Sequence, residues 1–303
     1  MAAVTVNDVG PRDGLQNQPG LLTPAQRVQL VKALFAAGVK HVEVGAFVSP
    51  KTIPAMAGTD QVLAGLDAIE GALFTVLIPN LRGYELAKAA GAKSVSMVLY
   101  GSDAMAQANA RMSRQQAETA TVEILARARA DGVRVTATIG VAFECPFDGP
   151  VDAALIGEIA TKFLVLGVDE LTLADTIGAA NPLQVRRLTE SLVHEHGAKR
   201  LSCHFHDTRA MGLANVFAAV ESGVRKFDAS IGGLGGCPFA PGASGNVATE
   251  DVVMMLEQMG LDTGISLVGL MQASTLAQQL TDAVPGGRSK AWLERYLDKQ
   301  AQK

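Results

Sequence analysis

Apolar and polar positions alternate in two periods along the chain. Short apolar and β-branched runs recur at 4–9, 41–46, 73–78, 94–100, 134–141, 170–175, 201–206 and 226–231, and each reads as a strand. Runs such as 94–99 and 135–140 have the composition of strands buried in a parallel sheet. Between them lie segments bounded by helix signals. Thr23-Pro24 opens a helix that stops at Gly38, and Ser113 caps one that ends near Asp131-Gly132. A helix over 151–166 is stopped by Gly167, Asn181-Pro182 opens the next, and 212–222 is helical. The last of the series runs from about Ala248 to Gly260. Eight strand-then-helix units predict an α/β fold, a (β/α)8 TIM barrel occupying 1–303 as one domain. A C-terminal helical extension starts at about 265, with an extra helix over 267–283 and a polar tail. A doubly wound open sheet uses fewer strands and needs a switch point, and the rhythm shows no break to supply one.

Composition narrows the setting. Hydrophobic residues make up 48% and charged residues 18%, which supplies a core and argues against disorder. A formal net charge of −4 with scattered Lys and Arg speaks against a nucleic-acid partner. Three cysteines suit a reducing compartment. Neither a leader nor a bilayer-length apolar run is visible, so the expectation is a cytoplasmic protein without a membrane partner.

In such a barrel the chemistry gathers where the strands end. The polar residues falling there are Arg12 and Asp13 after strand one, Glu43 on strand two, Asp175 ending strand six, and His204 and His206 on strand seven. Residues two apart on a strand share a face, so the two imidazoles can hold one metal ion; the plainer reading is two hydrogen-bonded histidines. Asp13 adds a carboxylate, and Asn246 offers an amide oxygen. An oxygen and nitrogen set without thiolate suits Mg²⁺ or Mn²⁺, with Zn²⁺ fitting less well. Arg12 can pair with Glu43 and also polarise a substrate carbonyl. Asp175 reads as a partner for a histidine, a substrate contact or a helix cap. Residues 232–245 hold six glycines and two prolines and read as a shaped lid. Cys237 in its middle is a candidate proton donor or acceptor, whereas Cys145 and Cys203 read as inert and buried. P-loop, dinucleotide fingerprint and nucleophile elbow are all missing. A metallohydrolase with His-x-His expects that pair on the first strand and more histidines than the five here.

These same segments, 9–17, 47–51, 175–178, 204–207 with 213–215, and 232–251, resemble the 3-hydroxy-3-methylglutaryl-CoA lyase family over nearly the whole chain. The resemblance implies Asp13, His204, His206 and Asn246 as metal ligands and Arg12, Glu43, Asp175 and Cys237 as active-site residues. It implies an acyl-CoA substrate, a divalent ion and a homodimer or higher homo-oligomer. The implied reaction is retro-Claisen cleavage to acetyl-CoA and acetoacetate, with His204, Asp13 and Asp175 as candidate bases. Alternatives are a related substrate such as citramalyl-CoA, or condensation by an acyltransferase of the same superfamily. The chain departs from the family pattern at Gln18 (usually Glu), Ala46 (often Ser or Thr), Thr52 (often Trp) and Arg209 (commonly Tyr). It also has Asn109-Ala110-Arg111-Met112-Ser113 where the family reads Asn-x-Asn-x-Ser. None of these is a ligand; several lie where the acyl group would bind.

Overall fold

The computed structural model describes residues 2–236, 245–282 and 286–301. Eight parallel strands close into a barrel: β1 Thr5–Asp8, β2 His41–Ala46, β3 Leu73–Leu77, β4 Ser94–Tyr100, β5 Arg134–Gly140, β6 Glu170–Asp175, β7 Leu201–Phe205 and β8 Lys226–Ala229. Neighbours in sequence are neighbours in space, and β8 closes on β1 in a register that pairs Thr5 with Lys226 and Asp8 with Ala229. All eight strands stand where the apolar runs place them.

Around the barrel lie α1 Pro24–Ala36, α2 Thr59–Leu66, α3 Leu81–Ala89, α4 Asp103–Ala110, α5 Arg114–Asp131, α6 Ala153–Leu166, α7 Pro182–His196, α8 Gly212–Glu221 and α9 Thr249–Gln258. Thr23, Ser113 and Asn181 each form a reciprocal capping box with the glutamine three residues on, so two backbone donors at each helix start are satisfied locally. Buried Leu30, Leu99, Ile139, Phe163, Phe205 and Phe227 belong to the core. Among the described residues no helix is long and apolar enough to cross a membrane.

Two features depart from the pattern-based expectation. Helices α2, α3 and α4 were not assigned from sequence; they have only eight, nine and eight residues, too short for a clear period. The C-terminal tail is not simply polar coil: after α10 Leu267–Thr281 comes α11 Lys290–Ala301, with Trp292 stacked on Tyr296. The extension is fastened by acids of α9. Glu250 accepts from the backbone N–H of Gly287, and Asp251 from those of Arg288 and Ser289.

One buried cation holds the rim at β2. Arg27 of α1 is fully buried, and its guanidinium donates to the carbonyls of Val44 and Ala57 and to the Thr59 hydroxyl. Without a carboxylate beside it, burial lowers its pKa to about 10. Gly45 is required by this approach: a Cβ there would lie 2.4 Å from Arg27 Nη2 and 2.5 Å from Thr59 Oγ1. Gly45→Ala should therefore lower stability by about 1–3 kcal/mol through overpacking. A urea midpoint unchanged from wild type would show that the rim yields freely.

Candidate metal centre

Backbone geometry brings the charged residues of the first strand to the mouth. Beyond β1 the chain makes a widened turn over Gly10–Gly14, in which Gly14 N–H donates to the Val9 carbonyl five residues back. Asp8 anchors the turn from beneath, accepting from Gly10 N–H at 2.8 Å and from the Thr249 hydroxyl at 2.6 Å. Gly14 packs so closely on β8's exit that a Cβ would lie 2.9 Å from both Leu234 Cβ and Ser230 Oγ. Asp8 is fully buried, and burial pushes its pKa up to about 7. Beyond the glycine-rich segment, Asn246 bridges His206, with Val247 N–H donating to the Phe205 carbonyl and Asp207 N–H to that of Gly245. This short extra pairing seats Asn246 beside the second histidine.

Asp13, His204 and His206 converge: one ligand atom from each lies within 4.8 Å of the others. His204 Nδ1 is 3.2 Å from Asp228 Oδ2, while Asn7 donates to the other oxygen of Asp228. Asn246 Nδ2 donates to Asp13 Oδ2 at 2.8 Å and to the Leu234 carbonyl at 3.0 Å. That leaves Asn246 Oδ1 and His206 Nδ1 buried without a hydrogen-bond partner. Orphaned buried polar atoms are costly, and here they lie next to a converging donor set. A divalent cation would relieve that cost. The donors are oxygen and imidazole nitrogen, which suits a hard or borderline ion.

Charge supports the same fit. Arg12 donates to Glu43 through Nε at 2.5 Å and to Asp13 through Nη1 at 2.7 Å. Ser96 donates to the other oxygen of Glu43. Arg12 therefore faces Glu43, Asp13 and, at longer range, Asp228. One guanidinium against three carboxylates leaves negative charge to be matched. Burial opposes ionisation of Asp13, but Arg12 and the two histidines overcome it and hold its pKa at about 2. Burial and the neighbouring His204 lower His206 to about 4, so it is neutral at physiological pH, as a ligand must be. Burial alone would also lower His204; Asp228 and Asp13 outweigh it and raise the value.

The residues named from sequence are placed as follows. Arg12, Asp13, Glu43, His204, His206 and Asn246 form one cluster. Cys237 lies outside the described residues; Cys145 and Cys203 are free and buried. Among the described residues Asp175 makes no hydrogen bond to a histidine, though His204 acts on it electrostatically. Its two oxygens accept from the Ala179 and Ala180 N–H groups, bracing the turn that leads into α7. The carboxylate beside His204 is Asp228, which the sequence reading missed. Its signal is an acid in the middle of strand eight, and the register sets it opposite His204. The cluster opens into a cavity of about 610 Å³ whose remaining wall mixes apolar side chains, Val98, Met105 and Met112 among them, with polar ones such as Asn109 and Arg111.

Asp228→Asn should weaken divalent-metal affinity by about 10–100-fold while the fold persists, because the aspartate fixes the ring of His204. Unchanged affinity in a calorimetric Mn²⁺ titration would separate Asp228 from the centre.

A family model described as HMGL-like matches residues 3–277. The (R)-citramalyl-CoA lyase of Chloroflexus aurantiacus is 44% identical over 284 residues, covering 90% of each chain. The hydroxymethylglutaryl-CoA lyase of Pseudomonas mevalonii is 41% identical over 294 residues, covering 97% of each. The crystal structure of hydroxymethylglutaryl-CoA lyase from Pseudomonas aeruginosa superposes with a TM-score of 0.92 at 39% identity, covering 98% of both chains. Sequence, barrel and rim residues agree, and the chain belongs to the HMGL-like family.

Proposed function

We propose that the chain is a metal-dependent carbon–carbon lyase that cleaves a 3-hydroxy-3-methylglutaryl-CoA-like thioester into acetyl-CoA and acetoacetate. The observation that carries this reading is the convergence of Asp13, His204 and His206 at the mouth of a barrel whose relatives are acyl-CoA lyases. Asp13, His204, His206 and the amide oxygen of Asn246 would hold the ion, Mg²⁺ or Mn²⁺ before Zn²⁺. When bound, a divalent ion supplies Lewis acidity toward the substrate oxygens.

The chain's own residues do the rest. Arg12, held by Glu43, has guanidinium N–H groups left to meet the thioester oxygen and stabilise the enolate charge that develops there. The C3 hydroxyl proton goes to a base. Asp13, at about 2, is weakly basic, and His204 has Nδ1 engaged by Asp228. Burial lifts the Asp175 carboxyl, but both its oxygens accept from the Ala179 and Ala180 N–H groups and it does not line the cavity, so all three stay candidate bases. The C2–C3 bond then breaks, its electron pair passing into the enolate, and Cys237 returns a proton to C2. The same reading carries a cytoplasmic location and a homodimer or higher homo-oligomer.

A second substrate has a specific observation behind it. The citramalyl-CoA lyase relative is 44% identical, against 41% for the P. mevalonii enzyme. The same residues would serve, with a 2-oxo acid as the second product.

A panel of 3-hydroxyacyl-CoA esters incubated with Mg²⁺ or Mn²⁺ should release acetyl-CoA, fastest from the 3-hydroxy-3-methylglutaryl ester. Release from none of them, with net synthesis from acetyl-CoA and 2-oxo acids instead, would make the chain a condensing enzyme. The base must be unprotonated to act, so kcat/KM should rise with pH along an acid limb, and the candidate whose substitution removes that limb is the base. Substitution of the base should abolish the limb and cost about 10²–10⁴-fold in rate, with Asp175→Asn the first variant to make. A limb that survives this substitution would assign the base elsewhere.

A further inference from the structure

We propose that Arg111 is the anion anchor of the acyl-CoA site, its guanidinium receiving an anionic oxygen pair of the thioester substrate; this rests on the acyl-CoA reading above. The cavity that opens on the metal centre is lined by four cationic side chains among the described residues: Arg12, Arg111, Arg134 and Lys226. Three have counter-charges. Arg12 is held by Glu43 and Asp13, Arg134 faces Asp169, and Lys226 is paired with Glu170. Arg111 makes no ion pair among the described residues. Its neighbour Arg114 is paired with Glu118, so local acids do not explain the difference.

Backbone conformation points the same way. Arg111 caps the C-terminus of α4 in the left-handed region, at φ 55 and ψ 37, its N–H donating to the Gln107 carbonyl. Glycine or asparagine takes this conformation with less strain, as the αL cap normally does. Four described non-glycine residues have positive φ, Arg111, Val141, Ala210 and Asp282, and of these Arg111 alone lines the cavity. An exposed, unpaired guanidinium thus stands, against local preference, on the wall of a site that receives a polyanion. Its planar fork suits paired anionic oxygens. An acyl-CoA offers these as the phosphates of the CoA moiety and as the free carboxylate of the acyl group.

The test uses the metal-loaded full chain with Arg111→Asn and Arg111→Lys. Asparagine suits the left-handed cap, so the thermal midpoint of Arg111→Asn should equal or slightly exceed wild type. Its KM for 3-hydroxy-3-methylglutaryl-CoA should rise about 10–100-fold with kcat changed far less, since the lost contact is the same in ground and transition states. Arg111→Lys should recover part of the loss. Calorimetric binding of free CoA assigns the source. A parallel loss of CoA affinity identifies the phosphates; unchanged CoA affinity identifies the acyl carboxylate. Unchanged KM and unchanged CoA affinity in both variants of an active enzyme would overturn the proposal. A wild-type protein that cleaves no thioester would instead defeat the functional reading, and the CoA titration would still report on Arg111.

Discussion

Buried like charge is the constraint on which this molecule's mouth is built. Asp13, Glu43 and Asp228 all lie close to a single guanidinium, that of Arg12, in a place largely shielded from water. Left to themselves, three carboxylates there would repel one another or take up protons. The structure spreads the load. Ser96 donates to Glu43, Asn7 to Asp228 and Asn246 to Asp13, so each carboxylate has a neutral donor besides its ionic neighbours. What remains is negative potential and two orphaned polar atoms around a point shared by Asp13 and two imidazoles. A site with those properties is prepared for a cation before one arrives.

The scaffold beneath serves that preparation. Asp8, buried and linked to Thr249, ties the widened turn carrying Arg12 and Asp13 to the start of α9. Glu250, the next residue, reaches the backbone of Gly232 on one side and Gly287 on the other. The first-strand turn, the exit of β8 and the C-terminal extension are therefore coupled through two adjacent residues of one helix start. The extension is in this sense a brace for the β8 exit.

Strand-by-strand architecture was legible because a parallel barrel strand is covered on both faces, so runs such as 94–99, apolar but for two serines, stand out. Caps were legible too, since Thr23, Ser113 and Asn181 satisfy donors within three residues. Short helices such as α2 carried too little period, and α11 hid because only half of its residues are apolar. At the site, the two histidines and Asp13 were readable from strand ends and period. Asp175 carried three readings from sequence, and here its oxygens go to backbone donors of the turn that leads into α7, nearest to the cap. Asp228 was under-read because its meaning depends on register across β7 and β8, which no local pattern encodes. Arg111 was visible only as a departure from a family pattern; its lack of a counter-charge needed three dimensions.

The central claim is that one ion is shared by residues from the first and seventh strands. Anomalous diffraction from crystals grown with Mn²⁺ tests it most directly. The account predicts one strong peak per chain within bonding distance of Asp13, His204 and His206, with the Asn246 amide oxygen turned toward it. A peak bound elsewhere, or imidazoles bonded only to protein groups while Mn²⁺ is present, would contradict it.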